Sequence, residues 1–299
     1  MRHKNTIRKN KDILVFDAIN LTLLTLFTLT CLLPMVNLFS KAVSSEAMVL
    51  GGKVWLWPKE FQIESITYML AQTGFQRSFL NTLFVTLLGT LLNIAFTVLA
   101  AYPLSRKRLK GRKWILFFIV FTMLFSGGLI PSFILVQRLG LMNSLGALIW
   151  PGLTSPFFII ILRNFFEGIP DSLEESAKID GASNFMTLTS VMLPLALPCL
   201  ATLTVFYAIG HWNNYFGALL YIQSREKFTL QLYLQQLLIS TTRSAGALIN
   251  TAQMRALKNR APMIIQASAV FLSTVPILLV YPFLQRYFVK GMTLGAVKG

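Results

Sequence analysis

The sequence predicts an all-α polytopic membrane protein with six transmembrane helices. Hydrophobic residues fill 55% of its 299 positions and charged ones only 13%, giving a mean hydropathy of +0.62. A soluble domain carries about twice that share of charge. Six apolar runs lie at about 16–39, 78–104, 114–139, 145–166, 191–221 and 263–288. Each reaches the roughly 20 residues a helix needs to cross a bilayer. Basic residues crowd into two places outside these runs, and that placement orients them.

The first run follows a tail holding Arg2, Lys4, Arg8, Lys9 and Lys11. It lacks the small-residue cleavage site of a signal peptide, so it is expected to stay as a span. The segment after it, with "GGKVWLWPKEF" at 51–61, has the aromatic content of an interfacial belt or a surface cap. The second run ends at "RKRLKGRK", 106–113, which holds six basic residues. Later runs follow closely, except for a polar insert between the fourth and fifth and a long loop, 222–262, before the sixth. Pro34, Pro103, Pro131, Pro151, Pro156, Pro194, Pro198, Pro276 and Pro282 fall in or beside the runs. Lipid tolerates such breaks only where neighbours satisfy the freed backbone groups. The pattern suits a bundle that bends during a working cycle, or one with ordinary kinks.

In a six-span arrangement the basic tail and the 106–113 loop share one side. The positive-inside rule makes that side cytoplasmic and places both termini there, in a multi-pass cell-membrane protein. The 222–262 loop runs against this, with Arg225, Lys227, Arg243, Arg255, Lys258 and Arg260 against Glu226 alone. Its length weakens the rule there. The net charge of +16 is therefore a topology signal and implies no nucleic acid, because no aromatic residues interleave the basic ones. The two cysteines, Cys31 and Cys199, lie inside spans and imply neither a disulfide framework nor a metal site.

What the spans lack narrows the function. No Asp or Glu lies in a span interior, whereas gradient-driven carriers build their coupling sites from such groups. A secondary sugar carrier remains the alternative from another class, and this absence counts against it. No phosphate loop, metalloprotease motif or acidic pair is present, and the only histidines are His3 and His211. No catalytic residue is expected. If the protein moves a substrate uphill, the energy enters from another polypeptide.

The insert offers a docking surface for one. Ser172 and Glu175 have the spacing of a capping box, and Glu174 with Lys178 that of a favourable helical ion pair. Leu173, Ser176, Ala177 and Asp180 share one face of the expected helix. Gly181 is expected to end it in the left-handed conformation and Ser183 to cap the next. That second helix carries Phe185, Leu188, Thr189 and Met192 into the following span. The expectation is a rigid two-helix elbow lying along the membrane surface.

The insert resembles the signature of ABC importer permeases: E-A-A, three residues, Gly, nine residues, I-x-L-P. Here Glu175-Ser176-Ala177 is followed by Gly181 and then by Val191-Met192-Leu193-Pro194, in register throughout. Ser176 and Val191 are mild departures. "PDSLEESAKIDGAS" and the ending "KGMTLGAVKG" resemble the carbohydrate-uptake subfamily. "AGALINT", "TVPILLVYPFLQRYFVKG" and the basic N-terminus look most like permeases for complex oligosaccharides, such as alginate or pectin fragments. The resemblance implies a type I permease bundle with a cytoplasmic coupling helix. Its parts are a tail, span and external segment (1–74), a five-span core (75–290, elbow about 170–190) and a cytoplasmic tail (291–299). It further implies a second permease in a heterodimer, a cytoplasmic ATPase dimer that binds ATP and Mg, an extracellular sugar-binding lipoprotein and surrounding membrane lipid. No cofactor is implied on this chain. Leu173, Glu174, Glu175, Ala177, Asp180, Gly181 and Pro194 then fall to ATPase coupling. Along the fifth run, Tyr207, His211, Asn214 and Tyr215 are spaced to share a helical face. Such groups suit a sugar, or serve as polar glue between helices.

Overall fold

The computed structural model describes residues 11–243 and 263–279. Among them all regular structure is helical, apart from one isolated bridge between Ser44 and Phe61. The helices are α1 (Lys11–Ala42), α2 (Glu46–Leu50), α3 (Glu64–Ala71), α4 (Thr73–Ser105), α5 (Arg112–Leu124), α6 (Leu129–Arg138), α7 (Pro156–Glu167), α8 (Asp171–Ile179), α9 (Asn184–Thr187), α10 (Leu193–Leu195), α11 (Leu197–Trp212), α12 (Phe216–Tyr221) and α13 (Leu230–Arg243). A last helix, α14, covers Met263–Leu279. The described residues form two compact units, one of 11–69 with 243 and 263–272 and one of 70–242 with 273–279. The boundary drawn at 74/75 from the sequence falls just inside α4.

In the first unit, α1 is apolar all round, with Leu21, Phe27 and Leu32 exposed. Thr22, Thr25, Thr28 and Thr30 each donate their hydroxyl to the carbonyl four residues back. That closes every one of these donors locally, as a lipid-facing helix requires. The end of α1 pins the tryptophan segment: Asn37 Nδ2 donates to the Trp55 carbonyl at 2.6 Å and Ser40 Oγ to that of Leu56 at 2.6 Å. Trp55 and Trp57 are left exposed, as an interfacial belt would have them.

In the second unit α4 is the central helix, packed on α7 and α11. Its buried face is small and polar, with Ser78, Thr82, Thr86, Gly89, Thr90, Asn93 and Thr97. Small residues let helices approach in an environment where apolar burial gives no gain over lipid. A Cβ built on Gly89 would lie 2.5 Å from His211 Nε2, so α11 reaches this position only because glycine stands there. Near its C-terminus α4 joins a cluster of Ala101, Tyr102 and Leu104 with Leu162 and Phe166 of α7 and Met192 beyond α9.

Three of the runs expected as single helices are bent pairs. Run 114–139 is α5 and α6, turned 114° at a break containing Gly127 and Gly128. Run 145–166 begins as two 3₁₀ turns, Leu145–Leu148 and Trp150–Gly152, set at 50° to α7. Run 191–221 is broken twice: Asn184–Leu195 lies at 82° to α11, and residues 213–215 separate α11 from α12. Pro151, Pro156, Pro194 and Pro198 sit at these joints, where the missing N–H and the ring clash interrupt a helix. Among the described residues two helices, Val15–Ala42 and Thr73–Ser105, are long and apolar enough to cross a bilayer alone, and up to five spans result if each bent pair counts as one. The sixth expected run is described as far as Leu279; residues 280–288, the N-terminal ten, most of the 222–262 loop's second half and the C-terminal tail lie outside the described residues.

Candidate coupling site

The elbow begins at α8 with Pro170 as its N-cap, and no side chain caps it. The helix starts at Asp171, which puts Ser172 inside the first turn. The expected capping box of Ser172 with Glu175 therefore does not form. The C-terminus is as the sequence indicates. Gly181 has φ +83°, its N–H reaches the Lys178 carbonyl at 3.0 Å, and the Ala182 N–H reaches Ala177 at 2.9 Å. This pair of bonds is the Schellman closure of a helix. A Cβ on Gly181 would meet nothing within 4 Å, so backbone conformation alone demands glycine there.

Ser183 then caps α9, its Oγ accepting the Met186 N–H at 3.2 Å. Leu188–Met192 forms a π turn before α10. Pro194 is the second residue of α10, and a widened turn relieves its ring's clash with the carbonyl four residues back. The chain bends at Ala196, which is fully buried. The second helix of the elbow thus does not run into the next span as one rod, as the sequence suggested, but meets it at 82°.

Leu173, Glu175 and Asp180 are exposed and Ala177 is half-buried. Ile179, Phe185 and Met186 are also exposed, at 86%, 69% and 56%. Three large apolar side chains thus stand in the open on a polar insert, the feature that marks interaction surfaces. Pro194 is exposed as well.

Glu174 behaves differently from the rest of its set. It is 5% exposed and faces inward. Arg106 Nη1 lies 2.5 Å from its Oε2, while Arg108 Nη2 at 3.0 Å and Lys178 Nζ at 2.5 Å share Oε1. Arg106 follows α4 directly, sits 4.8 Å over the Tyr102 ring, and reaches Met192 Sδ at 3.6 Å. Arg108 also donates to Asn184 Oδ1 at 3.0 Å. One carboxylate therefore ties α4 to α8, with Arg108 extending the tie to α9. Burial pushes the Glu174 carboxyl upward, but the Lys178 hydrogen bond and the charges of Arg106, Lys178 and Arg108 outweigh it. The net result lies below the ordinary carboxylate range. A second tie lies alongside: Glu167 at the end of α7 takes Arg163 at 2.5 Å and Arg112 at the start of α5. Arg163 Nε also caps the Leu104 carbonyl at 3.3 Å.

The four candidates on the fifth run do not share a face. The helix α11 ends at Trp212, and Asn213 turns its side chain back to the Ile209 carbonyl at 3.0 Å. Asn214 and Tyr215 therefore lie in the break, where Asn214 Oδ1 accepts the Gly217 N–H at 3.0 Å. Tyr207 stays on α11, its hydroxyl 2.8 Å from Thr97 Oγ1 and 3.1 Å from the Ser155 N–H. His211 Nε2 lies 2.6 Å from Asn93 Oδ1. Asn93 Nδ2 donates to the carbonyls of Gly152 and Leu153, both at 2.7 Å, which leaves its Oδ1 as the acceptor and His211 Nε2–H as the donor. Tyr207 and His211 thus join α4, α11 and the turn before α7.

Residues 93–294, more than half of the chain, match the family described as binding-protein-dependent transport system inner membrane component. The chain belongs to that family. It is similar to the polygalacturonan/rhamnogalacturonan transport system permease protein YtcP of Bacillus subtilis (strain 168), 39% identical over 95% of this chain and 99% of the relative. It is also similar to the arabinooligosaccharides transport system permease protein AraQ of the same organism, at 28% identity over the full length of both. Among solved structures, a chain from the crystal structure of a bacterial ABC transporter involved in the import of the acidic polysaccharide alginate superposes with a TM-score of 0.87. That chain is 34% identical and is covered completely by 95% of this one.

This inner-membrane component is a transport subunit and not an enzyme. Five residues escaped the sequence reading of it: Arg106 and Arg108 enter there only as topology markers, and Asn93, Thr97 and Gly89 are not singled out. The signal for the first two was in the sequence: an acidic insert and a basic loop expected on the same side of the membrane. Among the described residues no cluster of three or more His, Cys, Asp or Glu side chains is placed to hold a metal.

Proposed function

We propose that this inner-membrane component is one of two permease subunits of an ATP-driven importer for an oligosaccharide of the alginate or pectin-fragment kind. The elbow α8–α10 is its coupling element, with its N-terminus and its 106–113 loop on the cytoplasmic side and six spans in all. ATP and Mg bind to a separate ATPase dimer, and an extracellular sugar-binding lipoprotein delivers the substrate. The exposed apolar side chains of Leu173, Ile179 and Phe185 carry the reading. They stand on an insert whose turn is locked by a Schellman closure and whose inner side is fixed to α4 by Glu174. A lever needs both properties: a face to grip and a rigid attachment. The sugar class is supported by the transport roles in the relatives' names. Tyr207 and His211 are assigned to holding the helices that border the pathway, and Asn214 and Tyr215 to the hinge between α11 and α12.

Uptake of uronic-acid oligosaccharides into membrane vesicles tests this. Uptake should follow ATP supply and ignore protonophores while ATP is held constant. A cysteine replacing Lys110, with Cys31 and Cys199 replaced, should resist an impermeant thiol reagent in intact cells. Uptake that collapses with the gradient at constant ATP, or a labelled cysteine at 110, overturns the proposal.

A further inference from the structure

Beside the elbow lies a cavity of about 520 Å³ that shares Phe185 with the coupling face. Arg106, Arg108 and Lys110 line one part of it, and Leu109, Phe185 and Leu188 another. Its volume is that of a small-molecule site, and its wall pairs cations with apolar surface. Glu174 offsets part of the charge through Arg106 and Arg108. Among the described residues Lys110 has no ion-pair partner.

The depth of the cavity follows from α4. At 1.5 Å per residue its 33 residues span about 50 Å, well beyond a hydrocarbon core of about 30 Å. The end of α4, and the loop directly after it, therefore stand at headgroup level. Trp114, 70% exposed in the first turn of α5, marks the same level, because tryptophan collects at the membrane–water boundary. A site at this depth, cationic on one wall and apolar on the other, matches the two ends of an anionic phospholipid. A free phosphate or a soluble acidic sugar has no use for Leu109, Phe185 and Leu188.

We propose that this cavity binds the headgroup and upper chain of an anionic phospholipid, with Lys110 as the contact that Glu174 does not share. The inference rests on the bilayer placement proposed above. It also gives the elbow a lipid contact, because Phe185 belongs to both. Basic pockets at the cytoplasmic membrane surface take anionic headgroups at about 1 kcal/mol per Lys or Arg, a factor of about five in affinity.

Native mass spectrometry on the full chain, purified in mild detergent with its co-eluting partners, tests this against phosphatidylglycerol and phosphatidylcholine. Phosphatidylglycerol should be retained and phosphatidylcholine lost. Lys110→Gln should weaken retention about fivefold. Lys107→Gln, the same charge change at an exposed position of the loop outside the cavity, should leave it unchanged. Equal loss in both variants would show only diffuse surface attraction and overturn the site. Displacement by millimolar glycerol phosphate would reassign it to a soluble anion. Retention by the isolated chain but not by the ATPase-bound complex would assign the cavity to a protein partner instead. Uptake following ATP with no lipid preference would sink this inference while sparing the permease reading.

Discussion

Replacing Glu174 by glutamine removes the charge that three cations share and keeps the side chain's shape. Arg108 and Lys178 are 53% and 35% exposed at the side chain, so they rehydrate at little cost. Arg106 is 10% exposed and cannot. Its Nε is already buried without a hydrogen-bond partner among the described residues. Removing one partner of a fully buried pair costs about 3–5 kcal/mol. Glutamine keeps one acceptor for Arg106, and only one of the three cations stays dry, so about 2 kcal/mol is the reasonable scale here. That shifts local opening of the elbow about 30-fold, with the bundle intact. Hydrogen exchange of the amides in 171–182 should accelerate by about that factor while those of α4 and α11 stay protected, and transport should fall. Glu174→Leu combined with Arg106→Met should recover much of the protection, since apolar residues of similar volume often replace a buried pair without loss. Because the folded state lowers the Glu174 pKa, the carboxylate's contribution is complete above the ordinary carboxylate value and is lost as pH falls through the lower, folded one. The elbow should therefore hold unchanged through neutral pH and loosen only below the ordinary carboxylate range. If Glu174→Gln leaves exchange in α8 within twofold and transport intact, the carboxylate does not fix the elbow and the lever argument fails.

Gly181→Val should leave the protein inserted at near-normal abundance. The open space around this position admits the side chain, but a β-branched residue at φ +83° is strained by about 1–3 kcal/mol. Transport and ATPase co-purification should both be lost, and normal transport in this variant would remove the elbow from the mechanism. Glu175→Gln should leave α8 exchange unchanged because no capping box exists there, so any drop in transport would report a charge contact outside this chain. Gly89→Ala should lower the melting temperature in detergent, because its Cβ would force the His211 ring off Asn93. Overpacking of this kind costs roughly 1–3 kcal/mol, and an unchanged melting temperature would show that α11 yields freely.

The turn between the two helices of the insert was legible in the sequence, because it follows from local rules. Gly181 needs a left-handed turn, Ser183 needs an N–H within reach, and both act within five residues of themselves. The bends were half-legible: prolines announced them, but hydropathy averages over a break, so runs 114–139 and 191–221 read as single spans. Ser172 misled because its spacing from Glu175 satisfies the box while Pro170 already opens the helix two residues earlier. The four polar residues of the fifth run misled for a related reason. A helical face assumes a continuous helix, and the side chain of Asn213 turns back on Ile209 where the helix ends.

The deeper gap concerns pairs far apart in the chain. Asn93 meets His211 across 118 residues, and Thr97 meets Tyr207 across 110. Nothing in either segment names the other, since polar residues in spans have many possible partners. The pairing of Glu174 with Arg106 also joins distant segments but was open to inference. Both belong to loops that topology places on one side of the membrane, and a cluster of acids beside a cluster of bases is attracted across that shared surface. Orientation rules thus carry contact information as well as sidedness: a loop rich in one charge points to the insert rich in the other. Here that reasoning leads from the basic 106–113 loop to the acidic insert, and burial with the Arg106 contact then separates Glu174, which holds the elbow to α4, from the exposed Glu175 beside it.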